Sequence, residues 1–215
     1  MAPNTKEVAP GLLPLLRVYT DGTVERLVSS PFVPPTLNET ITGVSSKDIS
    51  ISSDVSARLY LPKLRRTDGS LKFPILVYFR RSFCAGSAFS SDHHCYINTL
   101  VSQAKILSIS VEYRVAPEHP LPTAYEDSWT ALQWVSSHKL SGASTTNTQH
   151  LNGSFLDQEP WLLDHADFQQ FFIGGDTTGA NIVHNITLRA GVEDLHGNTK
   201  ILGTFLCQPY FWAPS

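Results

Sequence analysis

The chain has 215 residues, 41% of them hydrophobic and 16% charged, which suits one domain with a sizeable core and excludes a disordered or fibrous sequence. Its formal charge of −3 leaves no basic stripe for nucleic acid and no polybasic run for a membrane. Since no apolar stretch approaches the ~20 residues of a spanning helix and no signal segment is evident, we expect a cytoplasmic protein that binds a small molecule.

In chain order, short β-rich runs separated by turn residues come first, at residues 15–19, 48–51 and 57–61, and they predict an antiparallel lead-in. Two nearly continuous apolar runs follow at 74–79 and 106–111. Runs of this kind are typical of strands buried on both faces of a sheet.

Helical spacing of apolar residues then predicts a helix over 124–135, and the composition of 139–156 predicts an exposed loop. Residues 171–174 are expected to form a central parallel strand, followed by a helix over 178–188 and a further buried strand at 201–207. The predicted core includes Val77, Phe171, Phe172 and Ile173. Alternating strands and helices indicate an α/β fold with a mostly parallel, doubly wound sheet. We expect one domain, with a lead-in or cap at 1–45 and the sheet and helices at 46–215.

The segment FFIGGDTTGANIVHN, residues 171–185, reads as a buried strand, a tight glycine turn and the start of a helix. Within it, GDTTG at 175–179 has the G-x-S-x-G spacing of a nucleophile elbow, with Thr177 at the serine position.

Several segments together resemble the plant carboxylesterases of the hormone-sensitive-lipase branch of the α/β-hydrolase fold, a family related to the gibberellin receptor. They occur in the family's order along nearly the whole chain: GTVERLVSSPFVPP, ARLYLP, PILVYF, FCAGSAFSS, VEYRVAPEHPLPTAYEDSWTALQWV and GANIVHN. The resemblance implies hydrolysis of small carboxylic esters by a serine, an oxyanion hole, an aspartate and a histidine.

The nucleophile position departs from that pattern, because a β-branched threonine is disfavoured on the strained turn and needs an adjacent base to react. We therefore interpret Thr177 as a turn residue without chemistry.

The oxyanion-hole positions depart as well. The resemblance implies a His-Gly-Gly-Gly-Phe run after residues 74–79, but the chain has RRSF at 80–83, one residue shorter and without glycine. We predict a degenerate oxyanion hole at Arg80, Arg81, Ser82 and Thr178. The two arginines either form a new anion site or lie in solvent, and the second interpretation is favoured.

The family's acid and base lie downstream of the strand matched by 201–207, so the resemblance implies a C-terminally truncated fold here. His184 is expected on a helix face pointing away from the elbow, and His119 in a turn. The DHHC run at 92–95 lacks a distant partner group for a metal and is better read as a helix start capped by Ser91 or Asp92. We expect no metal and no cofactor.

Three hypotheses follow. The chain is a degenerate carboxylesterase-family product without activity of its own, a receptor-like protein that binds a small ester or hydrophobic ligand without turnover, or an esterase acylated at Thr177. The first is preferred. Without further strands beyond 201–207, we also expect poor solubility, because a set of apolar side chains would be exposed: Phe205, Leu206, Tyr210, Phe211 and Trp212.

Overall fold

The structure is a computed structural model and describes residues 15–28, 30–64, 71–80, 84–141 and 158–211. Eight strands are defined: β1 Leu16–Val18, β2 Val24–Arg26, β3 Ser45–Ser50, β4 Ser56–Leu61, β5 Phe73–Phe79, β6 Leu107–Glu112, β7 Ala166–Asp176 and β8 Gly203–Cys207. Four α-helices accompany them, with a 3₁₀ turn at His196–Asn198: α1 Ser91–Ala104, α2 Thr123–Ser141, α3 Pro160–His165 and α4 Thr178–Ala190.

Six of the strands form one sheet in the order β3-β4-β6-β5-β7-β8. The four strands from β6 to β8 pair in parallel, whereas β3, β4 and β6 pair antiparallel. β1 and β2 make a separate two-stranded antiparallel sheet. The predicted mostly parallel α/β sheet and its antiparallel lead-in are both confirmed.

Helices cover both faces of this sheet, as the continuous apolar runs of its central strands require. Ile75, Val77 and Phe79 of β5 point into the larger core, which α2 and α4 complete. Leu76 and Tyr78 point to the opposite face, where α1 packs over a smaller cluster. This doubly wound arrangement brings the carboxyl ends of the parallel strands together at one edge, where sites form in such folds.

The predicted core residues Val77, Phe171 and Ile173 are fully buried. The prediction that Phe172 belongs to the core is wrong, because this side chain is only half-buried and packs at the margin of the smaller cluster. The reason is strand alternation, since neighbouring residues of β7 point to opposite faces of the sheet. Phe172 points to the face covered by α1, which has the smaller apolar cluster.

The helix predicted over 124–135 is the central part of α2, which continues to Ser141 and therefore enters the segment predicted as a loop. The rest of that predicted loop, residues 142–156, lies outside the described residues. Four of the five side chains predicted to be exposed beside the last strand are indeed exposed, and Trp212 lies outside the described residues: Phe205, Leu206, Tyr210 and Phe211.

Candidate active site at the strand–helix turn

The turn between β7 and α4 has the compact geometry of a nucleophile elbow. A Cβ atom added to Gly179 would lie 2.0 Å from the carbonyl oxygen of Phe79, and one added to Gly175 would lie 2.5 Å from the carbonyl carbon of Gly179. No side chain fits at either position, so the two glycines let α4 begin directly against the end of β5. The predicted strand, turn and helix are all confirmed.

Thr177 sits at the apex of this turn with φ of 52° and ψ of −109°. This backbone conformation is sparsely populated for a residue with a side chain, and it is least favourable for a β-branched one. Hydrogen bonds hold it in place: the Thr177 N–H donates to the Cys207 carbonyl at 2.9 Å, and its carbonyl accepts from the amides of Asn181 and Tyr210. The surrounding structure thus enforces the strained geometry.

The hydroxyl of Thr177 is buried and has no hydrogen-bond partner. A serine-type nucleophile needs a base within about 2.6–3.2 Å to accept its proton. No side chain of the described residues provides that contact. Among the described residues, the elbow therefore has the backbone of a nucleophile site and a threonine hydroxyl without a side-chain partner.

Arg80 occupies the first position of the predicted oxyanion run, and the favoured interpretation, that it lies in solvent, is wrong for this residue. Its side chain is only 2% exposed. The guanidinium pairs with Glu112, Nε to Oε2 at 3.1 Å, donates to the carbonyls of Ala85 and Tyr113, and lies 4.6 Å from the centre of the Tyr113 ring. It is neither in solvent nor available to an external anion, because a carboxylate and two carbonyls already surround it.

Arg81 and Ser82, the next two predicted oxyanion positions, lie outside the described residues. Thr178, the remaining one, is the first residue of α4 and lies within hydrogen-bonding reach of Tyr113. Burial raises the pKa of Tyr113 to about 12, so the phenol keeps its proton and donates to the Arg80 carbonyl at 2.8 Å.

Sequence reasoning missed Glu112 as the partner of Arg80, although the signal was present. Phe79 of β5 pairs with Val111 of β6, so Arg80 and Glu112 are the next residues on two neighbouring parallel strands. Parallel strands end at the same edge, which places a cation beside a carboxylate there. Glu112 also accepts hydrogen bonds from Ser87 and from the amide of Ala88, and so ties down the loop before α1.

The histidines considered in the sequence lie away from the elbow hydroxyl. His184 is exposed on α4, and its ring centre is 5.1 Å from that of Phe211. His119 is exposed in the turn before α2. Both positions agree with the sequence interpretation.

The DHHC run at 92–95 does start a helix, but its predicted cap is wrong. The N-cap residue is Ser90, whose side chain makes no capping hydrogen bond. The N-terminal segment takes that role, since the Ser91 amide donates to the Pro31 carbonyl and Ser30 donates to Asp92. His93 hydrogen-bonds to Ser110 at 2.6 Å, and His94 belongs to a separate cluster.

That second buried site is the Arg58 cluster, formed by Asp48, Arg58, Tyr60 and His94. The fully buried Arg58 binds both carboxylate oxygens of Asp48, at 2.6 and 2.9 Å, and approaches Nδ1 of His94 at 3.3 Å. Because a guanidinium only donates, Nδ1 is the unprotonated nitrogen, and Tyr60 also meets it at 3.1 Å. Burial lowers the pKa of His94 and favours this neutral form.

A cavity of about 420 Å³ lies beside the carboxyl ends of the parallel strands. Its walls include Arg26 and Glu118, which pair with each other at 2.7 Å, and the end of β6. Thr177 is not part of its lining. This cavity is therefore separate from the elbow hydroxyl.

Comparison with known proteins places this geometry in a family. A family model described as the alpha/beta hydrolase fold matches residues 76–214, and the chain belongs to that family. The chain is 53% identical over 213 residues to 2-hydroxyisoflavanone dehydratase of Glycyrrhiza echinata, covering 98% of this chain and 61% of the relative. It is 41% identical over 217 residues to probable carboxylesterase 13 of Arabidopsis thaliana, covering 96% and 61% respectively. The resemblance to plant carboxylesterases is thus confirmed.

The chain spans 61–64% of the length of the curated relatives it matches first. Among solved structures, esterase LipW from Mycobacterium marinum superposes with a TM-score of 0.56 at 22% identity, covering 79% of this chain and 45% of that one. At this identity the likeness shows the fold.

In the described ranges, no helix combines the length and apolar content that crossing a membrane requires.

Proposed function

We propose that this 215-residue chain is a catalytically degenerate, carboxylesterase-like α/β-hydrolase that does not hydrolyse esters through its elbow. The observation that carries the proposal is the Thr177 hydroxyl, which is buried and unpartnered on an otherwise well-formed turn. Acyl transfer requires the nucleophile to lose its proton to a base as it attacks, and a buried hydroxyl without an acceptor cannot do so.

The position of Arg80 supports the same conclusion. An oxyanion hole stabilises the tetrahedral intermediate through backbone amides aimed at the developing charge, and loss of one donor costs about 10²–10³ in turnover. Here the first position of the run is a buried arginine that is bound to Glu112. Residual rates of enzymes without a triad come from the oxyanion hole and from binding, so damage there removes the remaining source of rate.

Hydrolysis of p-nitrophenyl acetate and butyrate tests this proposal. The wild-type chain, Thr177→Ala and Thr177→Ser are expected to give equal rates, no higher than that of a heat-denatured control. Serine alone should bring no gain, since it supplies no base. Turnover by the wild-type chain that disappears in Thr177→Ala would contradict the proposal.

A second candidate is binding of a small ester or other neutral ligand without turnover. The cavity of about 420 Å³ favours it, because ligand sites fall in the range of roughly 300–1,000 Å³ and Arg26 in its wall is already paired with Glu118. Thermal-shift titration with ethyl butyrate checks it: a concentration-dependent rise in Tm that Arg26→Met abolishes is expected, and no shift would rule against it. Arg17→Met, which removes an exposed ion pair of the same small sheet, is the matched control.

A further inference from the structure

The cavity beside Arg26 and Glu118 lies at a point of the sheet where ligands commonly bind. α1, which follows β5, covers one face of the sheet, and α2, which follows β6, covers the other. A crevice therefore opens between the carboxyl ends of β5 and β6, and in doubly wound sheets such crevices hold ligands. Glu112 ends β6 and lines the cavity together with the residues that follow it. β5 and β7 separate this place from β8, so the edge of the sheet at β8 is not involved.

Arg114, in the wall of this cavity, has a side chain that is fixed before any ligand arrives. Its Nε donates to Oδ2 of Asp127 at 3.0 Å, and its Nη2 donates to Oδ1 at 2.7 Å. The backbone amide of Arg114 donates to the same carboxylate at 2.9 Å. Asp127 belongs to α2 and is only 3% exposed, so this bidentate pair holds the guanidinium in one orientation. A group that is already ordered loses less entropy on binding.

The remaining nitrogen of that guanidinium, Nη1, is left for a ligand. Within the described residues it makes no hydrogen bond, since Oδ2 of Asp54 is 3.6 Å away, beyond hydrogen-bond distance. In the same part of the chain, that oxygen accepts only from the Ser53 hydroxyl, at 3.3 Å, and a carboxylate oxygen has room for a further donor. A hydrogen-bond donor and an acceptor with spare capacity thus lie side by side in the cavity wall.

The charges around this pair restrict the kind of ligand. Three carboxylates line the cavity against two arginines: Asp54, Glu112 and Glu118 against Arg26 and Arg114. Arg26 is already bound to both oxygens of Glu118, so an anion would meet mostly like charge. A cation that binds Asp54 would have to lie beside Arg114. An ester can accept from Arg114 but has no donor for Asp54, which leaves a neutral molecule that carries both an acceptor and a donor.

We propose that this cavity binds a neutral carboxamide, whose carbonyl accepts from Nη1 of Arg114 and whose N–H donates to Oδ2 of Asp54. The oxygen and nitrogen of an amide are about 2.2 Å apart, because its C=O and C–N bonds are about 1.23 and 1.33 Å long. Two parallel hydrogen bonds of about 2.9 Å therefore connect that edge of the amide to two protein atoms 3.6 Å apart. This assignment rests on the second candidate function, binding of a neutral ligand in the same cavity, and adds the chemical class of the ligand.

Dissociation constants of benzamide, methyl benzoate and benzoate for the 215-residue chain, measured by ligand-observed NMR titration, test the class of ligand. The three compounds share a ring and a carbonyl group and differ in charge and in the amide donor. Benzamide is expected to bind about tenfold more tightly than the other two, the lower end for a hydrogen bond to a charged group, because Asp54 is partly open to water. Equal or tighter binding of methyl benzoate would overturn the carboxamide assignment and leave the second candidate function standing. Tightest binding of benzoate, or no binding of any of the three, would overturn both.

Substitution of Asp54 tests the proposed hydrogen bond. Asp54→Ala should weaken benzamide about tenfold and leave methyl benzoate unchanged, whereas Asp54→Asn keeps a carbonyl oxygen and should retain part of the benzamide affinity. Asp194→Ala is the matched control, since Asp194 is an exposed carboxylate paired with Lys200 at 3.1 Å and does not line this cavity. An unchanged benzamide affinity in Asp54→Ala, or an equal loss for benzamide and methyl benzoate, would contradict the proposal.

Discussion

The Arg58 cluster and the elbow are two buried polar sites in one sheet, and they differ in how completely their polar atoms are paired. Arg58 binds a carboxylate through both oxygens and also lies 5.0 Å from the ring centre of Phe89. Thr177 keeps a strained backbone and a buried hydroxyl without a partner. The first arrangement stabilises the fold, whereas the second maintains the shape of a reactive site and costs stability. The elbow therefore keeps the backbone geometry of a nucleophile turn, while its hydroxyl has no side-chain partner among the described residues.

Disruption of the Arg58 cluster is expected to change the free energy of unfolding more than any other substitution considered below. Arg58→Met should lower the free energy of unfolding by about 3 kcal/mol, the lower end of the range for breaking a buried ion pair, because Asp48 is partly open to water. Urea unfolding followed by circular dichroism measures it. Arg17→Met is the matched control, since its pair with Glu25 is nearly half exposed and should contribute less than about 1 kcal/mol. Equal losses in the two variants would show that the cluster has no special role.

The elbow should respond in the opposite direction. Thr177→Gly relieves backbone strain of about 1–3 kcal/mol, which stabilises the folded state. Glycine also makes the unfolded chain more flexible, which costs about 0.5–1 kcal/mol of stability, so we expect a net gain of about 1 kcal/mol in the free energy of unfolding. Thr178→Gly, one residue on and at the start of α4, is expected to lose stability, since no strain is relieved there. A destabilised Thr177→Gly protein would mean that the threonine is well accommodated.

The third expected effect is a dependence of stability on pH. Burial lowers the pKa of His94 and of His138 below the ordinary value of 6.5. As pH falls through about 6.5, the unfolded chain binds protons that the folded chain does not, so stability is full above that pH and declines below it. Urea midpoints between about pH 7.5 and pH 5.5 check this sign.

Each histidine has a structural reason to resist protonation. Nδ1 of His94 faces Arg58, and Nε2 of His138 accepts the Glu159 amide at 3.1 Å while its Nδ1 is 2.9 Å from the Trp134 carbonyl. His94→Gln should flatten the pH profile in part, with His138 accounting for the remainder. A profile unchanged by His94→Gln would contradict the assignment.

Much of the fold was predictable, because apolar runs with few polar interruptions identify β5, β6 and β7, and the glycine spacing identifies the turn before α4. Burial of Phe172 was predicted wrongly, since the pattern of a strand covered on both faces does not show that one cover is thinner. The short helix α3 was not predicted; its six residues are too few for a helical period to be read.

The candidate site was less predictable than the fold. The sequence located Thr177 and its turn, but it did not show that Arg80 folds back on Glu112, because a side chain's partner depends on the register of two strands far apart in sequence. The start of α1 was predicted with the wrong cap for a similar reason, since its partners come from residues 30 and 31. Contacts of this kind follow from tertiary structure and not from local pattern.

Covalent labelling with a fluorophosphonate probe, which reacts with activated hydroxyl nucleophiles whatever their natural substrate, tests whether the Thr177 hydroxyl is activated. Intact-protein mass spectrometry after incubation is expected to show no adduct on the wild-type chain, and none on Thr177→Ser, because neither hydroxyl has a base. A serine esterase labelled in parallel establishes that the probe is active. Stoichiometric phosphonylation mapped to Thr177 would contradict the account, since it would show that the hydroxyl is accessible and activated.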